Sequence, residues 1–446
     1  MKPRISHLIA AVILSALAYI PCSAQPVFTD ASRSNRERAE DIVKHMTLPE
    51  KVSLMVYNSP AVERLGIRNY NWWNEALHGI ARNGNATVFP MPIAMASSFD
   101  TELLEQVFTA TSDEGRIKWN IARTANEKDM WYKGLSYWTP NINIFRDPRW
   151  GRGMETYGED PYLTSQMGMA VVRGLQGEHK DGLIKALACA KHYAIHSGPE
   201  SKRHSFDAVV SERDLWETYL PAFKDLVIKA DVKQVMFAYN RMFGVPAGAN
   251  ERFMRDILEK EWGFEGVVVS DCWAVADFYS GHKWSADKAE AAAAAVKAGM
   301  DMECGNAVPA IPEAIRRGLL TEKDVDESIT RVMEYRYMLG EMDEEILWDN
   351  LSHEQLCSKE HSDLALKIAH KSIVLLENNG ILPLRKSEKL LIMGPNADQA
   401  RMMWGNYNGF PQTESSLLDG IKTVGGNVEY IEGVPYVEGL TTSAAG

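Results

Sequence analysis

The chain has 446 residues, 45% of them hydrophobic and 24% charged, with a formal net charge of −12 and a pI near 5.5. This is ordinary globular composition, enough for a large core and for two to three domains, or one barrel with a companion. The acidic balance and the lack of a long basic run exclude nucleic acid as an expected partner.

The N-terminus carries Lys2, Arg4 and His7, then an apolar run from Leu8 to Ile20, then Cys22-Ser23-Ala24 before Gln25. Residues 1–24 read as a secretory signal peptide cut after Ala24, so a periplasmic or secreted protein is expected. The run is too short for a comfortable membrane span, and none is expected. A lipid anchor at Cys22 is the competing reading, although Ile20-Pro21 makes a poor lipidation site. Ser34 to Met55 reads as two helices broken near Thr47-Leu48-Pro49, with Thr47 as N-cap and Glu50 three residues later. Asp100 to Ile117 and Thr164 to Leu175 read as helices, with a strand candidate from Tyr137 to Ile144 between them. The apolar run Leu183 to Ala190 leads into Lys191-His192. Glu212 to Ile228 is amphipathic and should kink at Pro221. Val232 to Tyr239 reads as a strand, Glu251 to Glu261 as a helix and Val267 to Ser270 as a buried strand. An Ala-rich helix from Ala286 to Lys297 is closed by Gly299 and followed by strand-like Met300 to Met302.

Strands alternating with helices in this rhythm give the βαβ pattern of a parallel sheet. Four strand candidates lead into polar, reactive residues: Arg146-Asp147 with Arg149, Lys191-His192, Tyr239-Asn240, and Asp271. Repeated endings of this kind favour an α/β fold of the TIM-like (β/α)8 barrel type, whose chemistry sits at the C-terminal rim. A doubly wound open sheet competes, but no GxGxxG or GxxxxGK[ST] motif supports a nucleotide site. The catalytic barrel is assigned to residues 25–345. The polar stretch after Asp343 and a helix from Ser358 to Leu376 make residues 346–385 a linker. A new strand from Leu390 to Met393 opens a second α/β sandwich domain over 386–446. That unit is short for a finished domain, so the chain is expected to be incomplete at its C-terminus.

Five cysteines, at 22, 189, 272, 304 and 357, are widely spaced and contain no CxxC pair. They do not make a disulfide scaffold, and an oxidised pair cannot be assigned from their spacing. His192 and His196 have metal-ligand spacing, but Gly198-Pro199 argues against a helix there and no carboxylate completes a set, so no metal is expected.

Asp271 stands where a buried parallel strand stops, as a carboxylate nucleophile or as a helix N-cap. Lys191 and His192 are cationic-capable groups able to bind hydroxyls and to hold a nearby carboxylate ionised. In Trp150-Gly151-Arg152-Gly153-Met154-Glu155, glycines let a backbone approach a ligand and Arg152 offers a rigid donor fork. A salt-bridged loop is the alternative. Trp72-Trp73-Asn74-Glu75 reads either as a sugar platform with a hydroxyl acceptor or as a core-packed Trp pair. A glycosidase site needs a carboxylate pair, fixed donors and aromatic walls.

Six blocks in order are highly specific together. They are Met46-Thr47-Leu48-Pro49-Glu50-Lys51, Asp147-Pro148-Arg149-Trp150-Gly151-Arg152, Lys191-His192-Tyr193, Ala238-Tyr239-Asn240, Gly266 through Asp271, and Ser372 through Asn378. With them, nearly the whole mature chain resembles glycoside hydrolase family 3. Trp72 through Gly79, with glutamate at position 75, and Ser270-Asp271-Cys272 look like the β-xylosidase branch. The resemblance implies a retaining exo-glycosidase with an oligosaccharide substrate and no metal or organic cofactor. It makes Asp271 the nucleophile and places Glu75, Arg152, Lys191, His192, Arg203 and Tyr239 around the terminal sugar. β-Xylosidase leads. β-Glucosidase, α-L-arabinofuranosidase and β-N-acetylglucosaminidase of the same family are the alternatives, with a non-hydrolytic carbohydrate binder beside them. The family's general acid/base comes from the second domain and is expected beyond Gly446. The loop from Ile195 to His204 lacks the Asp-Ser-His element of the branch that uses a histidine, so neither His196 nor His204 takes that role. Oligomeric state is not legible.

Overall fold

The computed structural model describes residues 26–196, 198–344 and 346–435. The expected signal peptide lies outside these residues. Four parallel strands form the central sheet in the order β1 (Ser136–Tyr137), β2 (Leu187–Tyr193), β3 (Gln234–Phe237) and β4 (Val267–Ser270). The register sets Ala188 against Tyr137, Val235 against Ala190, and Val268 against Val235. Every residue of the four strands is buried, as expected for a parallel sheet covered on both faces.

Single parallel bridges extend the sheet at both edges. Asn74 pairs with Tyr137, Met302 with Val269, and Glu303 with Val56. Asn58–Ser59 then pairs antiparallel with Tyr70–Asn71, and Trp72 N donates to Tyr57 O at 2.7 Å. The result is a curled, mainly parallel sheet with helices outside it.

Most expected elements form. Asn35–Lys44 and Leu48–Leu54 are separate helices, and Thr47 N donates to Glu50 Oε2 at 2.8 Å across the break. The helix Thr101–Thr124 runs about two turns further than expected and packs on Pro161–Gln176. At that crossing a Cβ on Gly174 would stand 2.5 Å from Glu105 O, so the close approach requires glycine. Glu212 to Ile228 is broken at Pro221, where the last helical stretch begins. Gly299, at φ 115°, closes Lys288–Ala298.

Two expectations need correction. Tyr137 to Ile144 pairs as a ladder only at its start, because Pro140 has no N–H. Thr139 O and Pro140 O still accept from Cys189 N and Lys191 N. The helix expected to reach Leu376 ends at Ser372, since β-branched Ile373 is extended, at φ −86° and ψ 118°.

Beyond that helix, Lys389–Met393 and Asn427–Ile431 pair in parallel, with Leu417–Val424 between them in sequence. Residues 404–410 reach back onto residues 78–86: Phe410 N donates to Gly84 O, and Ala86 N to Phe410 O. A second tie is buried. Glu114 accepts from Thr87 N and Oγ1, from Cys357 N, and from His361 Nδ1 at 2.9 Å. Burial works to raise its pKa, but His361 and Thr87 hold it below the usual glutamate value. Among the described residues no helix is long and apolar enough to cross a membrane.

Candidate active site

All seven residues singled out in the sequence, Glu75, Arg152, Lys191, His192, Arg203, Tyr239 and Asp271, line one cavity of about 290 Å³ at the C-terminal ends of the strands. β2 carries Lys191 and His192 inside the strand rather than after it. Tyr239 follows β3 and Asp271 follows β4. Trp73 lines the cavity while Trp72 is wholly buried, so the tryptophan pair is half wall and half core.

The charges pair in a consistent pattern. Lys191 Nζ lies 3.0 and 3.1 Å from the two Glu75 oxygens, and both side chains are buried. Arg152 forks onto Glu155, with Nε to Oε1 at 3.0 Å and Nη2 to Oε2 at 2.6 Å. Arg203 pairs with Glu200. Each of these three cations has its own carboxylate, and Asp271 is left over.

Asp271 is 7% exposed. Its Oδ1 accepts from Cys272 N at 2.8 Å; Oδ2 completes no hydrogen bond of good geometry among the described residues, and the Tyr239 hydroxyl is the side-chain donor acting on the carboxylate. His192 Nε2 is 3.5 Å from Oδ2, but its lone pair is turned elsewhere. Arg152 Nη1 stands 3.1 Å from Nε2 and can only donate, while Nδ1 faces Asn143 Oδ1 at 2.9 Å. The proton therefore sits on Nδ1 and the ring is neutral. Burial, reinforced by the Arg152 charge, holds its pKa well below the usual histidine value. This corrects the expectation of two cationic groups after the strand: Lys191 is one, His192 is not.

Burial raises Asp271 above the usual aspartate pKa, against the pull of Arg152, the Cys272 N–H, Lys191 and Tyr239. The two cations do favour its charged form, but desolvation outweighs them. Burial likewise lifts Glu75 to about 7 despite Lys191. Tyr239 is pushed well up by burial and by Asp271, so its hydroxyl keeps its proton.

The loop after β4 is fixed covalently. Cys272 and Cys304 form a disulfide with Cα atoms 4.4 Å apart. Cys304 N donates to Ser270 Oγ and Trp273 N to Cys304 O. Trp273 sits at φ 62° and keeps 48% of its surface exposed at the cavity mouth. Trp73 stacks on Trp138 at 5.8 Å and meets Trp273 edge-on at 6.3 Å, which gives the cavity an aromatic wall.

Sequence reading missed Asn143, Glu155, Asn406 and Tyr407. Glu155 follows Arg152 by three residues in the same Gly-rich block, so an ion pair was readable there. Asn406 and Tyr407 lie far along the chain and gave no local sign. Asn406 Nδ2 donates to Glu155 Oε1 at 3.0 Å, and Lys191 Nζ stands 5.2 Å from the Tyr407 ring centre. His196 Nδ1 is spent on Asn240 Oδ1, and His204 Nδ1 on Asp277 Oδ2. Among the described residues no cluster of three or more histidine, cysteine or acidic side chains could hold a metal. Unpartnered buried polar atoms on Trp73, Trp138, Arg203 and Asp271, all lining the cavity, suit a small hydroxyl-rich ligand.

Residues 42–335 match the glycosyl hydrolase family 3 N-terminal domain and residues 373–443 its C-terminal domain. A xylan 1,4-β-xylosidase of Xylanibacter ruminicola is 51% identical over 92% of this chain and 49% of its own length. A probable exo-1,4-β-xylosidase of Neosartorya fischeri is 39% identical over 95% and 57%. The chain thus spans about half the length of the curated relatives it matches. Among solved structures, a GH3 exo-β-xylosidase in complex with a xylobiose aziridine activity-based probe superposes with a TM-score of 0.86 at 32% identity, over 95% of this chain and 56% of that one. A β-glucosidase from Listeria innocua in complex with isofagomine gives 0.76 at 28% identity, over 90% and 60%.

Proposed function

Because the chain belongs to glycosyl hydrolase family 3, we propose that its cavity holds the terminal sugar of a β-linked oligosaccharide and that Asp271 attacks the anomeric carbon. The reaction is retaining and exo-acting, and the substrate is a xylo-oligosaccharide that releases xylose. The xylosidase relatives support that choice over glucose, arabinose or N-acetylglucosamine substrates. Asp271 Oδ2 forms a bond to the anomeric carbon as the leaving group departs with the glycosidic electron pair, and water later releases the sugar. Glu75 accepts hydroxyl hydrogens, while Arg152, Lys191 and Tyr239 donate and Arg203 closes one side. Neutral His192 is held in one tautomer by Asn143 and Arg152. Proton donation to the leaving group is not assigned to any of these residues.

In this reading the curled sheet is the wall of a (β/α)8-type barrel over residues 25–345. Residues 346–385 link it to a second α/β sandwich domain starting at 386. The signal-like residues 1–24 send the protein to the periplasm or outside the cell, where xylan fragments are met.

One observation carries the proposal. Asp271 is a buried carboxylate without a cation of its own, with one oxygen fixed by a backbone N–H and the other left without a well-formed hydrogen bond, beside the Tyr239 hydroxyl, in a cavity of monosaccharide size. The test is trapping with a 2-fluoro-xyloside carrying a dinitrophenolate leaving group, whose departure needs no proton. A mass increase on the peptide containing Asp271 is expected. An adduct on another residue, or xylose binding with no adduct, would remove the nucleophile assignment.

A further inference from the structure

His78 is buried, and each of its ring nitrogens faces a backbone carbonyl. Nδ1 lies 2.7 Å from Phe89 O and Nε2 lies 2.8 Å from Asn406 O. A carbonyl oxygen only accepts. A neutral imidazole has a single N–H, so it satisfies one carbonyl and turns a lone pair on the other. The imidazolium form donates to both.

The second carbonyl belongs to the segment that reaches the cavity. Asn406 also binds Glu155 through its side chain, and Tyr407 lies over Lys191 and beside Arg82. The approach is tight: Gly405 is at φ 67°, and a Cβ there would stand 2.4 Å from Met91 Sδ and 3.5 Å from His78 Nε2. Glycine is therefore required where the segment passes over His78.

We propose that His78 is a positioning residue, a latch that in its protonated form ties the Trp404–Phe410 segment to residues 78–89 and so sets Asn406 and Tyr407 against the Arg152–Glu155 and Lys191–Glu75 pairs. The consequence for sugar binding rests on the function proposed above; the latch itself does not. Burial works against the protonated ring and lowers its pKa, while the two carbonyls and Glu155 pull it back. Glu155 is the charged group acting on it, and Glu155 is itself held by Arg152 and Asn406. Arg82 and Lys191 meet the segment at the Tyr407 ring, and Phe89, Met91 and Gly405 carry no charge. The latch therefore tightens as pH falls, below the ordinary histidine range.

The test uses the full chain with ¹⁵N-labelled histidine. Imidazole shifts of His78 should pass from one N–H at pH 8 to two at acid pH while the protein stays folded. Hydrogen exchange of the 404–410 segment, corrected for intrinsic rates, should show opening about tenfold more frequent at pH 8 than at pH 5, the scale of one charge-assisted hydrogen bond. His78→Gln should abolish that pH dependence. A His78 ring that stays in one neutral tautomer down to pH 4.5, or a segment whose protection ignores pH in the parent chain, overturns the proposal. Neither readout on the parent needs a substrate or the variant, so the latch and the Asp271 assignment fail separately.

Discussion

Asp271→Asn should make the protein more stable while ending its chemistry. Three cations line the cavity and each already has a carboxylate, so the Asp271 charge is the unmatched one. Asparagine keeps the shape, and its carbonyl can still accept from Cys272 N. Relief of the buried charge brings the expected gain at pH 7.5 to about 1–3 kcal/mol. The sign with pH follows from the raised pKa of Asp271. What a raised carboxyl contributes is fully present below its unfolded pKa, near 3.8, and is lost as pH rises through the folded value. The variant has no such loss, so its advantage should widen from pH 4 to pH 7.5. Calorimetric melting at both values checks this; a gain of about 1–4 °C at the higher pH is expected, shrinking at the lower. Turnover of an aryl xyloside should fall by about 10⁴ or more. A variant that melts below its parent at pH 7.5, or a difference that ignores pH, would refute the idea that Asp271 is held against its own electrostatics.

Cys304→Ser opens the disulfide that closes a sequence separation of 32 residues. The chain-entropy scale puts the loss near 3–4 kcal/mol. Adduct formation at Asp271 should slow more than sugar affinity weakens, because the released loop carries the Cys272 N–H. Melting together with trapping rates at saturating reagent decides it. Lys191→Met leaves Glu75 buried without a partner; since burial already lifts Glu75 to about 7, it takes up a proton, and the expected cost is about 1–3 kcal/mol near neutral pH, growing as pH rises. Adding Glu75→Gln should recover much of that, and urea unfolding of the two singles and the double measures the coupling.

The strand before Asp271 was legible because Val267 to Ser270 is a short apolar run ended by a charge, and the Thr47–Glu50 box because capping is local. Five of the seven site residues, Arg152, Lys191, His192, Tyr239 and Asp271, were legible through four of the six blocks, Glu75 through the Trp72–Gly79 stretch, and Arg203 only through the family resemblance. The neutral state of His192 was not: it depends on Asn143 and Arg152, brought to its two nitrogens only by the curl of the sheet. The Cys272–Cys304 pair was hidden because the four cysteines at 189, 272, 304 and 357 offer six possible pairs and spacing does not choose among them. Tyr407 and Asn406 lay out of reach because they approach from a segment that folds back over hundreds of residues.

Glu114 bears on where the polypeptide can be shortened. Two of the four groups that satisfy its carboxylate come from Cys357 and His361, past the boundary drawn at residue 345 from sequence. A version trimmed there would keep Thr87 but strand an anion inside the remaining core. Any minimal unit made for crystallisation or engineering should therefore run through the Lys359–Ser372 helix, or should replace Glu114 with a neutral side chain of similar bulk.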